Sequence, residues 1–169
     1  SAIDAAALAA KEQGKDCGWV FTLDLPSYSP FMTYSTNREL RKQLYMAKNT
    51  ICTHDNAENN LAICQRLVNL RREIAQLLGY KTYADYVLTR RMAKNKRGVY
   101  RLLNDLVDAH KPTAMKEKEA IRKMAQSRQP QLGELHPWDV SFYSHKLQMK
   151  KYNLDAEMLR PYFQLDKVI

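Results

Sequence analysis

Leu40, Leu44, Ala47 and Ile51 recur at intervals of three and four residues, which places all of them on one face of an α-helix. Only five glycines and six prolines interrupt the 169 residues, so stripes of this kind can run long. A second stripe, Leu67, Leu70, Ile74 and Leu77, is closed by Gly79, the residue best able to take the left-handed conformation at a helix end. Thr82 opens a short third helix through Tyr83, Tyr86 and Val87, with Asp85 in the first turn facing the positive end of the dipole. Asn95 caps a long fourth helix through Val99, Leu102, Leu103, Leu106 and Val107. It continues past Pro112 toward Ile121 and Met124, with a kink expected near Pro112 and an end at Pro130 and Gly133. A fifth runs from Pro137 through Val140, Tyr143 and Leu147 to Tyr152, and Asp155 caps a sixth that should stop near Arg160, ahead of Pro161. Thr36 and Glu39 read as the capping box of the first stripe.

One stretch departs from this period. Trp19, Phe21 and Leu23 alternate with Val20, Thr22 and Asp24, as in a strand. No partner strand is recognisable, so this segment is either an extended strip packed on helices or half of a ladder completed elsewhere. The sequence therefore predicts an all-α fold with at most one short extended strand near residues 19–24. It reads as a single helical segment over 1–169, with an N-terminal helix in 1–17, an extended segment in 18–35 and a helical body in 36–169. The final residues, Leu165, Asp166, Lys167, Val168 and Ile169, read as an anchor, a cap and one helical turn. A helix that short cannot recover its nucleation cost, and the chain opens on Ser1 rather than Met, so a piece of a longer polypeptide is expected.

Lys, Arg, Asp or Glu breaks every apolar run well before the roughly 20 residues that a membrane span needs. No secretory signal is visible in the first residues. Cys17, Cys52 and Cys64 lack any paired spacing, which argues against a disulfide framework or zinc ribbon and suits a reducing, cytoplasmic compartment unless an export signal lies upstream. Lys and Arg number 27 against 18 Asp and Glu, a formal charge of +9, which raises the question of an anionic partner.

Residues that could carry chemistry do not assemble into a recognisable pattern. His54, His110, His136 and His145 include no pair four residues apart and none followed by Glu, so the H-E-x-x-H zinc helix is missing. Ser141 and Ser144 beside His145 point in other directions from one helix and cannot share its proton. No glycine-rich phosphate loop occurs, and Asp105 and Asp108 read as members of surface ion pairs. The basic runs at 90–97 and 111–128 are interleaved with Glu117 and Glu119 and read as a solvated face, offering phosphate contacts without base readout.

Three longer motifs, "FTLDLPSYSPFMTYSTNRELRKQLYMA", "LRREIAQLLGYKTYADYVL" and "PWDVSFYSHKLQMKKYNLDAEMLRPYF", follow one another in an order that resembles the thimet oligopeptidase family of zinc metallopeptidases, in its oligopeptidase A and dipeptidyl carboxypeptidase branch. The resemblance runs from about Trp19 to Ile169 and implies a segment of a two-lobed helical enzyme with a deep, narrow channel for short peptides. It further implies that the helix begun at "LDKVI" continues and that the zinc helix, the third zinc ligand and the residues stabilising the transition state lie downstream. No catalytic, cofactor-binding or metal residue is therefore assigned to any position of this chain. Zinc and short peptides belong to the full-length parent. The segment itself is expected to be inert, to pack against the remainder of its own polypeptide or self-associate through its apolar faces, and to have neither a membrane nor a specific nucleic acid as partner. Another class of reading is a self-sufficient basic helical module that binds nucleic acid or an acidic protein.

Overall fold

The computed structural model describes residues 2–163, and the expected cap and turn at Leu165–Ile169 lie outside them. The order is α1 (Ala2–Glu12), α2 (Leu25–Tyr34), α3 (Arg38–Asn49), α4 (Leu61–Leu77), α5 (Tyr83–Leu88), α6 (Lys96–Arg128) and α7 (Pro137–Tyr152), then a 3-10 helix at Ala156–Tyr162. No strand occurs among the described residues, in keeping with the all-α expectation. The helices fall into two compact units: residues 1–49 with 117–169, and residues 50–116.

In the first unit, α1 closes where Gly14 adopts φ +72° and the Lys15 N–H reaches back to the Ala10 carbonyl at 3.0 Å. The strip after it is extended but unladdered. Its backbone groups find helices and side chains instead: the Val20 N–H donates to the Ala6 carbonyl of α1 (3.0 Å), the Thr22 N–H to Ser27 Oγ (2.9 Å), and Lys48 Nζ donates to the Leu23 carbonyl (2.6 Å). Phe21 meets Phe31 edge-on at 4.5 Å. These contacts remove the need for a partner strand.

The expected extended segment in 18–35 is corrected by α2, which occupies Leu25–Tyr34. Pro26 sits in its first turn, where the missing N–H costs nothing, and Pro30 lies inside a helix too short to be broken by one absent donor. The expected capping box at Thr36 and Glu39 is also displaced. Asn37 is the residue whose side chain accepts the Leu40 N–H, at 3.1 Å. An Asn adjacent to Thr competes for the same role, and here it wins.

The core of this unit gathers Met124 and Ala125 of α6, Leu132 of the following loop and Tyr143 of α7, with Ile121, Leu135, Phe142 and Leu147 packed around them. Pro137 starts α7 as expected, and Asn153 ends it in the left-handed region at φ 49°. The last turn runs through Pro161 to Tyr162 rather than stopping near Arg160, because it is 3-10 rather than α-helical.

The second unit follows its local signals closely. At the end of α4 the Gly79 N–H donates to the Gln76 carbonyl and the Tyr80 N–H to Ala75, with Gly79 at φ +80°. Thr82 Oγ1 accepts from the Asp85 N–H at 3.2 Å, and Asn95 Oδ1 from the Gly98 N–H at 3.0 Å. Helix α6 continues through Pro112 without interruption. Arg71 lies 5.4 Å over the Tyr83 ring, and Tyr80 and Tyr83 each pack against Tyr86, so aromatic contacts join α4 to α5.

Candidate functional site

Asp139, the acid of the "PWDVSFYSHK" motif, is fully buried in the third residue of α7. Two arginines from one face of α3, Arg38 and Arg41, converge on it. Arg38 Nε donates to Oδ1 at 2.9 Å and Nη2 to Oδ2 at 2.7 Å, while Arg41 Nη2 donates to Oδ1 at 3.0 Å. The His136 N–H adds a fourth donor to Oδ2 at 3.1 Å, closing the start of α7. Arg41 is 1% exposed and also reaches the Trp138 carbonyl (3.0 Å) and the Ser35 carbonyl (2.8 Å) while its guanidinium lies 4.4 Å over the Phe142 ring. Every strong acceptor direction of the carboxylate is used.

Burial opposes ionisation of Asp139, but the hydrogen bonds from Arg38, the His136 N–H and Arg41 prevail and hold its carboxyl below the ordinary range. The same carboxylate holds the Arg38 guanidinium above its ordinary value, against the smaller opposing effect of burial. Tyr143, buried next to them, has its phenol pushed up, first by burial and then by the Asp139 charge. None of these groups changes protonation near neutrality. The cluster is saturated by its own hydrogen bonds. It ties α3 to α7 and fixes the faces those helices present: Trp138 stacks on His136 at 4.6 Å and meets Tyr45 edge-on at 5.9 Å, with Lys42 5.7 Å over its ring.

The four histidines lie apart. His54 contacts Thr50 Oγ1 at 3.2 Å, His110 is exposed on α6, His136 stacks on Trp138, and His145 faces Tyr34 (4.9 Å between rings) and Asp155 (3.8 Å). Among the described residues no three His, Cys, Asp or Glu side chains come close enough together to hold a metal ion, so the donor set does not fit zinc. Cys17, Cys52 and Cys64 are free thiols. Asp105 and Asp108, expected in surface ion pairs, lie exposed on α6 and form none among the described residues, although Arg101 and Lys111 stand about one turn away; the acids that do pair include Glu119 with Arg122 at 2.7 Å and Asp85 with Lys96 at 3.2 Å. Among the described residues no helix is long and apolar enough to cross a membrane.

Sequence reasoning started this helix at Pro137, two residues before Asp139, but missed both arginines. The signal was present: "NRELRK" sets Arg38 and Arg41 three residues apart on one helical face, the spacing two guanidiniums need to flank one acid.

Residues 31–169, which include α3, α7 and the whole Arg38–Arg41–Asp139 cluster, match the model of peptidase family M3. Oligopeptidase A of Salmonella typhimurium is 37% identical over 169 residues, covering 98% of this chain and 25% of its own length. Dipeptidyl carboxypeptidase of Escherichia coli is 32% identical over 164 residues (97% and 24%), and saccharolysin of Saccharomyces cerevisiae 31% over 153 residues (88% and 21%). The chain thus spans about a quarter of the length of these relatives. With the family model matched over residues 31–169, most of its length, the chain belongs to peptidase family M3.

Proposed function

We propose that this chain is a non-catalytic wall segment of a zinc-dependent peptidase that hydrolyses short peptides, as an oligopeptidase or a dipeptidyl carboxypeptidase. The observation that carries the reading is the family match across 31–169 in a chain whose most elaborate polar cluster is saturated and structural. In the parent enzyme, zinc would polarise the scissile carbonyl and activate water. The described residues do not fit that ion, and the role of this chain's own residues is to hold α3 and α7 in one geometry beside the peptide path.

Exposed apolar residues support a further partner, the remainder of the same polypeptide. Trp19 is 63% exposed and Leu77 88%, and α4 also exposes Leu61, Ile63 and Val68. Large contiguous apolar surface is rare on free-standing domains. The isolated segment should associate with itself through such faces. Three free thiols suit a reducing, cytoplasmic setting. The family match lends no support to a self-standing nucleic-acid module.

The test compares the 169-residue chain with the longer product of its gene. The chain alone should leave short peptides intact and hold no stoichiometric zinc after dialysis, whereas the longer product should cleave them and lose activity to a chelator. Cleavage by the chain alone, or one tightly held zinc per chain by elemental analysis, would overturn the proposal.

A further inference from the structure

The loop after α5 and the first turns of α6 shape a concavity of about 870 Å³ in the second unit. Its form depends on Gly98, because a Cβ there would stand 2.5 Å from the Ala93 carbonyl oxygen. Lys94, Arg97 and Arg101 all line it and all are exposed. Unlike Lys96, which turns to Asp85 at 3.2 Å, and Arg90, which lies 5.9 Å over the Tyr86 ring, these three have no ionic or aromatic partner among the described residues. One carboxylate, Asp105, shares the surface, together with the Asn104 amide and the Tyr100 ring, which is 63% exposed.

We propose that this concavity binds an extended acidic peptide segment with carboxylates at alternate positions. This inference rests on the peptide-handling reading above. Arg97 and Arg101 stand one helical turn apart, a rise of about 6 Å. Side chains on one face of an extended peptide repeat at about 6.6 Å, so two alternate carboxylates can each meet one guanidinium. Lys94 then answers a third charge or the peptide's terminal carboxylate. Asn104 and Asp105 supply an amide and an acceptor for main-chain N–H and C=O groups, and Tyr100 offers a flat apolar surface to the intervening side chain. A nucleic acid suits the surface less well. Three cations fall short of the roughly six to ten phosphate contacts of a tight site.

Fluorescently labelled short peptides with glutamate, glutamine or lysine at alternate positions, and an oligonucleotide of similar length, would be titrated against the chain at about 50 mM and about 200 mM salt. The glutamate peptide should bind best and weaken with salt. Reversing both guanidiniums, Arg97→Glu with Arg101→Glu, should weaken it about tenfold, since each exposed pair contributes only modestly. Because reversal could disturb the start of α6, Asp105→Asn serves as a second variant and should tighten the glutamate peptide. Equal binding of glutamate and lysine peptides, tighter binding of the oligonucleotide, or indifference to Asp105→Asn would each overturn the inference. Hydrolysis and zinc content of the longer product judge the peptidase reading separately, so an active parent without acidic preference sinks this inference alone.

Discussion

Arg41 and Asp139 are drawn into the interior of the first unit, with the half-exposed Arg38 reaching in to the same carboxylate, and Met32, Met124, Leu132 and Tyr143 are also buried there. In the second unit, the described residues bury Ala75 alone, and α4 and the first half of α6 expose Leu61, Leu77, Leu102 and Leu103. The contrast teaches how differently two runs of similar helices can be held. A buried charge is tolerated only while every partner is in place, so the first unit depends on a single interlocked cluster. The second depends on separate local devices, the glycine end of α4 and the side-chain caps of α5 and α6, each contributing little and independently.

The largest expected effect follows from breaking the cluster. Asp139→Ala would leave Arg41 buried with no anion and free α7 from α3, a loss of about 3–5 kcal/mol. Against a total of about 5–15 kcal/mol that is decisive for the unit. Hydrogen exchange should show protection lost in α3 and α7 while α4 and α5 keep theirs. Equal loss in α4 would mean that the two units unfold as one and would dissolve the contrast.

Acid offers a gentler way to the same cluster. Asp139 is held below the ordinary carboxyl range, so its folded form binds protons less readily than its unfolded form. The resulting stability is fully present above the unfolded value of about 4 and is lost as pH falls through the lowered folded value. Unfolding midpoints measured from neutrality downward should therefore fall more steeply for the native chain than for Asp139→Asn, whose curve should be lower but flatter. Parallel curves would remove Asp139 as the source of the acid sensitivity.

How much of this was legible in the sequence divides along the same line. The second unit was read almost residue by residue, because Gly79, Thr82 and Asn95 act on backbone groups within a few positions of themselves. The first was read less well where contacts span distance. Asp139 lies 101 residues from Arg38 and 98 from Arg41, and although the spacing of the two arginines points to a shared acid, nothing local says which acid it is. For the strip at 19–24 the sequence leaves open a strip packed on helices or half of a ladder, and the first holds, because the helix α1 and the Lys48 side chain, which lie elsewhere in the chain, satisfy it. The alternation at 19–24 was carried too far along the chain, into Leu25–Tyr34, where a short helix accommodates Pro26 and Pro30.

A smaller effect isolates one local device. At Gly79, φ is +80° and a Cβ would meet nothing within 4 Å, so Gly79→Ala carries a conformational penalty without a clash. The left-handed conformation costs a residue with a Cβ about 1–2 kcal/mol. Thermal unfolding should report that loss, with exchange rates rising at the end of α4 and unchanged in α7. A loss as large as that of Asp139→Ala would show that the second unit is interlocked too.

The smallest expected change is the sharpest test of what covers α4. Leu77 is 88% exposed and lies at the end of the helix, so Leu77→Ala removes almost no buried surface, and alanine is at least as good a helix former. In the isolated chain its effect on stability should fall within about 0.5 kcal/mol of zero, as for most surface changes. The same substitution in the longer product need not be silent. If the remaining polypeptide covers this face, a buried leucine is being truncated, and the cost should rise to about 2–5 kcal/mol. Denaturant midpoints measured for both variants in both polypeptides decide between these outcomes. A silent result in each would show that α4 keeps Leu77 in water throughout, and the proposal that further polypeptide covers the exposed stripe would fall.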